Sequence, residues 1–344
     1  MYRRVLKTVG VVGGTTTASA IAIGVYSSYR INSKRQRCYT DSFHPTPEFY
    51  RMPFRKCMFQ TKDGVDLNAW YIPQTRRGKL SNRIIVLLHP YNSSKSNCLP
   101  IARSLWESGY SVFMTDFRSF AEKPTKQSIG YYEQRDARAA LQYVRNVLGS
   151  ELDSPFRIGL FGASMGGAVA LLVSHSDESI RAVVTDCAFS SLRQVISHQM
   201  RVMFPFVPDI ILRMSEMSME LFNIAAYDYS LDEIEPVNCV SSKSSISHPP
   251  LLLIHAEDDE TVRHIPFHNI ILDPSYAHSH TRIRTQQLQV TLDHGRKLFE
   301  SAAVSDKDLW VVPNTQHIGA YFRMPLEYSK RVVQFYDRTL CEDE

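Results

Sequence analysis

Apolar residues fall along this chain in short unbroken runs, separated by longer stretches that mix apolar and polar positions. The run in RIIVLLHPYN (83–92) has no polar interruption, as a strand buried on both faces requires. YSVFMTDF (110–117), IRAVVTDCAF (180–189), PPLLLIHAEDD (249–259) and DLWVVPN (308–314) read as further strands. NCLPIARSLWESG (97–109) and roughly 131–148 read as helices between them. CMFQTKDGVDLNAWYIP (57–73) reads as two strands around Asp63-Gly64, a dipeptide that favours a hairpin turn. Strands alternating with helices predict βαβ units and a mostly parallel sheet, whose sites lie at the carboxyl ends of the strands.

One segment carries chemistry of its own. In RIGLFGASMGGAVALL (157–172) a β-prone run passes into a small, apolar helix through Gly162-Ala163-Ser164-Met165-Gly166. A side chain at the apex of so tight a turn is strained, and the flanking glycines let the chain fold back without a Cβ clash. The pentapeptide fits the nucleophile elbow G-x-S-x-G in its strand–turn–helix setting. On its own it fits an ordinary Gly-rich turn equally well. Two other strand ends decide between these: HAEDDE (255–260) offers a carboxylate, and Asn314-Thr315-Gln316-His317 offers a base. A lone loop histidine is usually just solvated. Serine, acid and histidine at three strand ends, in that order, make the triad the better reading.

Charge and cysteines narrow the picture. Seven basic residues and no acid fall in residues 1–40 of a 344-residue chain of net charge +4, which leaves −3 for residues 41–344. A mildly acidic body argues against nucleic acid as a partner. Cys38, Cys57, Cys98, Cys187, Cys239 and Cys341 show no C-x-x-C spacing, so neither a zinc site nor a disulfide framework is expected. Residues 8–29 (TVGVVGGTTTASAIAIGVYSSY) carry no charge and are basic-flanked, long enough to cross a bilayer. The favoured expectation is a single-pass membrane anchor over residues 1–40. A signal peptide cut near Ala18-Ser19-Ala20 and an organellar (mitochondrial) targeting segment are the alternatives.

From about residue 55 to 340 the chain resembles the α/β-hydrolase fold, and within it single-domain serine hydrolases related to serine aminopeptidases and acyl-peptidase-like esterases. The resemblance rests on DGVDLNAWYIP, VLLHPYN, TDFRS, GYYEQRDARAALQYVR, GLFGASMGG, PLLLIHAEDDETV, HGRKLFE and HIGAY, in that order. It implies an α/β domain over 41–344: a mostly parallel sheet flanked by helices, with a helical lid at about 190–248. It also implies a triad of Ser164, Asp259 and His317, with backbone N–H donors from Met165 and Tyr91 forming an oxyanion hole. Asp186 is an acid position in some relatives; His89 and His255 match structural histidines. Glycine is usual where this chain has Pro90, Ser119 and Ala256, and Pro90 stiffens the loop that carries Tyr91.

Residues 268–293 read as an insertion. His264, His268, His278 and His280 share no ligand spacing, so no metal or cofactor is expected. Met200, Met203, Met214, Met217 and Met219 in the lid read either as helix packing or as an adaptable apolar wall for an acyl group. The activity implied is a membrane-anchored serine hydrolase cleaving an ester, thioester or amide of a small or acylated substrate. The rivals are an aminopeptidase or acyl-peptidase, with Glu257, Asp258 or lid acids clamping an amine, and a catalytically silent binding protein.

Overall fold

The uninterrupted runs become the middle of an eight-stranded sheet in the computed structural model, which describes residues 2–33, 45–76, 79–121, 125–151, 156–241, 248–259 and 289–340. Its strands are β1 (Arg55–Gln60), β2 (Asp66–Ile72), β3 (Arg83–Leu88), β4 (Ser111–Thr115), β5 (Arg157–Ala163), β6 (Ile180–Asp186), β7 (Leu251–Ala256) and β8 (Lys307–Val312). Their order is β1-β2-β4-β3-β5-β6-β7-β8. The hairpin of β1 and β2 is antiparallel, β2 pairs antiparallel with β4, and every later pairing is parallel.

Alternation along β3 explains why its run is unbroken. Ile84, Val86 and Leu88 enter one core, and Ile85 and Leu87 enter the other. The first core is covered by α3 (Glu133–Tyr143), α4 (Met165–Ser174) and α8 (Leu292–Ser301), through Leu141, Val169, Leu172 and Leu298. The second is covered by α2 (Leu99–Glu107), the short α9 (Ala320–Arg323) and α10 (Pro325–Thr339), through Leu105, Ala320, Val332, Phe335 and Tyr336. Every residue of α4 is buried, which is why its sequence is apolar all round rather than amphipathic.

The lid is built from α5 (Leu192–Met203), α6 (Asp209–Tyr227) and α7 (Pro236–Ser241). Met200 and Met219 are buried in the first core, whereas Met203 and Met217 are exposed. Core packing therefore accounts for the first two, and solvent meets the other two.

The N-terminal stretch corrects an expectation. Tyr2–Asn32 forms one helix, α1, and its later part packs against α6. Ala20, Gly24, Ser28 and Asn32 recur every fourth residue, which places them on one face of α1. A Cβ on Gly24 would lie 1.9 Å from Ser218 Oγ and 2.2 Å from the Ser215 carbonyl oxygen, so only glycine permits this approach. Ser28 Oγ donates to Asn223 Oδ1, Asn32 Nδ2 donates to the same oxygen at 3.0 Å, and Tyr229 donates to Asn32 Oδ1 at 2.8 Å. Among the described residues no helix is long and apolar enough to cross a membrane, so the expected single-pass anchor is not supported. Gly24, Tyr26, Ser27, Ser28 and Tyr29 dilute the apolar character of the segment, and Gly24, Ser28 and Asn32 pack it on the lid. The side chains of residues 2–16 lie outside the description, as do residues 260–288, which take in most of the expected insertion and its histidines. Among the described residues, Cys57, Cys98, Cys187 and Cys239 are free thiols.

Candidate active site

Where β5 ends, Ser164 takes up φ 52°, a conformation that non-glycine residues rarely adopt. The turn is enforced by close backbone contacts. A Cβ on Gly166 would sit 2.1 Å from the Leu88 carbonyl oxygen, and one on Gly162 would sit 2.2 Å from that of Gly166. The Ser164 N–H is held by the Asp186 carbonyl at 2.8 Å. Met165 begins α4 immediately afterwards, at the end of the helix where backbone N–H groups lack intrahelical partners.

The three residues expected at separate strand ends meet. His317 Nε2 lies 2.8 Å from Ser164 Oγ, and His317 Nδ1 lies 2.8 Å from Asp259 Oδ2. With the Nδ1–H donated to the carboxylate, Nε2 presents its lone pair to the serine hydroxyl. Asp259 is almost fully buried and also accepts from the Val290 N–H at 3.4 Å. Burial pushes the His317 pKa down, but the charge and hydrogen bond of Asp259 outweigh it, with help from the charge of Asp186, and raise it above the ordinary value. Such an arrangement moves a proton from a hydroxyl to an imidazole whose cation is stabilised from behind.

The other acids are engaged elsewhere. Asp186 accepts from the Tyr328 hydroxyl at 2.8 Å, and burial lifts its carboxyl to about 6. Glu257 accepts from the Asn314 N–H at 3.0 Å. Asp258 is exposed, and its backbone N–H donates to the Thr315 carbonyl. His89 accepts from the Phe117 N–H at 3.0 Å and sits 2.8 Å from the Pro90 carbonyl, while His255 holds the Val290 carbonyl at 2.9 Å. Both histidines act as braces. Tyr91, in the loop after β3, is partly buried, and its hydroxyl donates to the Ile31 carbonyl of α1 at 3.4 Å.

Sequence reasoning passed over two residues here. Tyr328, on α10, reaches back 142 positions to Asp186. Cys187, buried at the end of β6, places its sulfur with His317 and Asp259 donor atoms in a cluster whose members all lie within 4.8 Å of one another. No local signal marks either, because their partners are remote in the chain.

Residues 83–215 match the family model for the α/β-hydrolase fold. The chain is also 30% identical to the uncharacterised protein YfhR of Escherichia coli over 269 residues, 76% of this chain and 73% of that protein. The chain belongs to the α/β-hydrolase family. This α/β hydrolase is further similar to bem46 of Schizosaccharomyces pombe, at 25% identity over 220 residues, 63% of this chain and 64% of that protein. Among solved structures it resembles the Pyrococcus furiosus esterase Pf2001, with a TM-score of 0.62, 20% identity and coverage of 88% and 98% of the two chains. It also resembles a Mycobacterium tuberculosis puromycin-hydrolysing peptidase, with a TM-score of 0.57, 12% identity and coverage of 90% and 42%. At these identities the structural likeness shows the fold alone.

Proposed function

We propose that this α/β hydrolase is a serine hydrolase that cleaves an ester, thioester or amide through an acyl-enzyme. The observation that carries the proposal is the unbroken relay from Ser164 through His317 to Asp259, at 2.8 Å on each side of the imidazole. In this reading Ser164 Oγ attacks the acyl carbon while His317 Nε2 takes its proton. The carbonyl π electrons move onto oxygen, and the N–H groups of Met165 and Tyr91 are the proposed donors to that oxyanion. Collapse expels the leaving group, which receives the proton from His317. Water then repeats the sequence on the acyl-serine, and the acid product leaves with Ser164 restored. Asp259 keeps the imidazole in the required tautomer and stabilises the transient cation.

Esters, thioesters and amides share this acyl chemistry. An aminopeptidase also needs a carboxylate to hold the amine; Glu257 accepts from the Asn314 N–H and Asp258 is exposed, so relative rates decide between the two readings. The test is labelling with a fluorophosphonate probe, followed by rates on acyl esters of two to eight carbons and on aminoacyl amides. Labelling at Ser164 that is lost in Ser164→Ala is the expected result. Persistent labelling of that variant refutes the proposal, and aminoacyl amides outrunning every ester would move the reading to a peptidase.

A further inference from the structure

The geometry points to a second use of the same imidazole: Cys187, Asp259 and His317 form a binding site for a thiophilic divalent cation, Zn²⁺ being the type, which switches the hydrolase off. The inhibitory consequence rests on the serine-hydrolase proposal, whereas the binding itself does not.

The three donor atoms, one sulfur, one nitrogen and one carboxylate oxygen, lie within 4.8 Å of one another. Tetrahedral zinc, with bonds of about 2.0–2.3 Å, sets such donors roughly 3.5 Å apart, so His317 Nδ1 and Asp259 Oδ2, 2.8 Å apart, must open by roughly 0.7 Å while the wider pairs close by at most about 1.3 Å. A soft sulfur beside an imidazole selects zinc-like ions over Mg²⁺ and Ca²⁺, which take oxygen ligands.

The cysteine is held for the purpose in an unusual way. It has φ 53° at the end of β6 and is fully buried. Its sulfur accepts the Ile318 N–H at 3.3 Å, and Ile318 itself has φ 49°. A backbone N–H on the sulfur and the Val290 N–H on Asp259 are outer contacts of the kind that orient metal ligands.

Binding balances as an exchange of a cation for a proton. The metal takes the Nδ1 lone pair, the carboxylate and a thiolate. The thiol proton leaves to solvent, and the imidazole proton moves from Nδ1 to Nε2. Nε2 then carries a hydrogen and has no lone pair for the proton of Ser164. The base is occupied. The groups facing this thiol are Asp186 beside it on β6, Asp259 after β7, His317 after β8 and Tyr328 from α10.

The test uses the full chain, freed of metal with a chelator, and Zn²⁺, Co²⁺ and Mg²⁺ alone as probes. Hydrolysis and fluorophosphonate labelling are titrated with Zn²⁺, each variant scaled to its own metal-free rate. Inhibition by Zn²⁺ is expected, absent with Mg²⁺ at the same concentration, and weakened at least tenfold in Cys187→Ala. Co²⁺ is expected to give a sulfur-to-cobalt charge-transfer band that the variant loses, a readout independent of activity. Equal Zn²⁺ sensitivity of wild type and Cys187→Ala, equal inhibition by Mg²⁺, or no such band overturns the inference. If Cys187→Ala does not fold by circular dichroism, Cys187→Ser, which keeps the volume but loses the soft ligand, is read in the same way. Failure of the metal-free protein to label at Ser164 would sink the serine-hydrolase proposal, yet the cobalt band would still decide this one.

Discussion

Replacing Asp259 by asparagine separates the two things that carboxylate does. The amide keeps the shape but presents an N–H to His317 Nδ1, which forces the hydrogen onto Nε2 and removes the lone pair aimed at Ser164. It also deletes the charge. At the observed 2.8 Å, a carboxylate facing an imidazolium is worth about 6 kcal/mol at an effective dielectric of about 20. At ~1.4 kcal/mol per factor of ten, that amounts to roughly four powers of ten in rate. Asp259→Asn is therefore expected to lower kcat/KM by about 10⁴-fold. The pH profile provides the sharper check. Burial pushes the His317 pKa down and Asp259 pulls it above 6.5, so activity in the wild type rises with pH through a value above 6.5. Without the carboxylate, burial prevails, and the acidic limb of the variant's residual activity moves to lower pH. Initial rates on a chromogenic ester from pH 5 to 9, with active sites counted by titration, measure both quantities. A limb that stays in place or moves upward refutes the electrostatic argument, and so does Asp186→Asn proving the more damaging change.

Other substitutions test neighbouring parts of the argument. Asp258→Asn, an exposed neighbour, is expected to change kcat/KM by less than about threefold in the same assay, since exposed charges contribute little. Gly166→Ala drives a methyl against the Leu88 carbonyl, and a loss of about 2 kcal/mol or more in urea unfolding is expected, together with loss of probe labelling. Asn223→Ala strands the donors of Ser28 and Asn32, and costs about 2 kcal/mol of stability after allowing for relief of its own unpartnered Nδ2. An unchanged unfolding midpoint in that variant would mean that α1 is not docked on α6 in solution.

Much of this protein was written in local pattern. Uninterrupted runs such as RIIVLL declare a two-faced strand because a strand alternates its side chains and both sides of this sheet are covered. The glycines around Ser164 declare a turn too tight for a Cβ, and strand ends in sequence order declare where polar groups converge. Over residues 8–29 local pattern leaves two readings open. An uncharged helix with small residues at every fourth position suits a bilayer and suits the flank of another helix, and the sequence does not show that Ser215, Ser218 and Asn223 lie opposite Gly24, Ser28 and Asn32. The acid was named from the sequence only through the family resemblance. HAEDDE offers four carboxylates within six residues, and composition alone does not say which one points inward. Burial and the 2.8 Å approach of His317, 58 residues away, single out Asp259. Cys187 and Tyr328 left no trace in the sequence at all, because a buried thiol or phenol reads as core until the chain folds its partners around it.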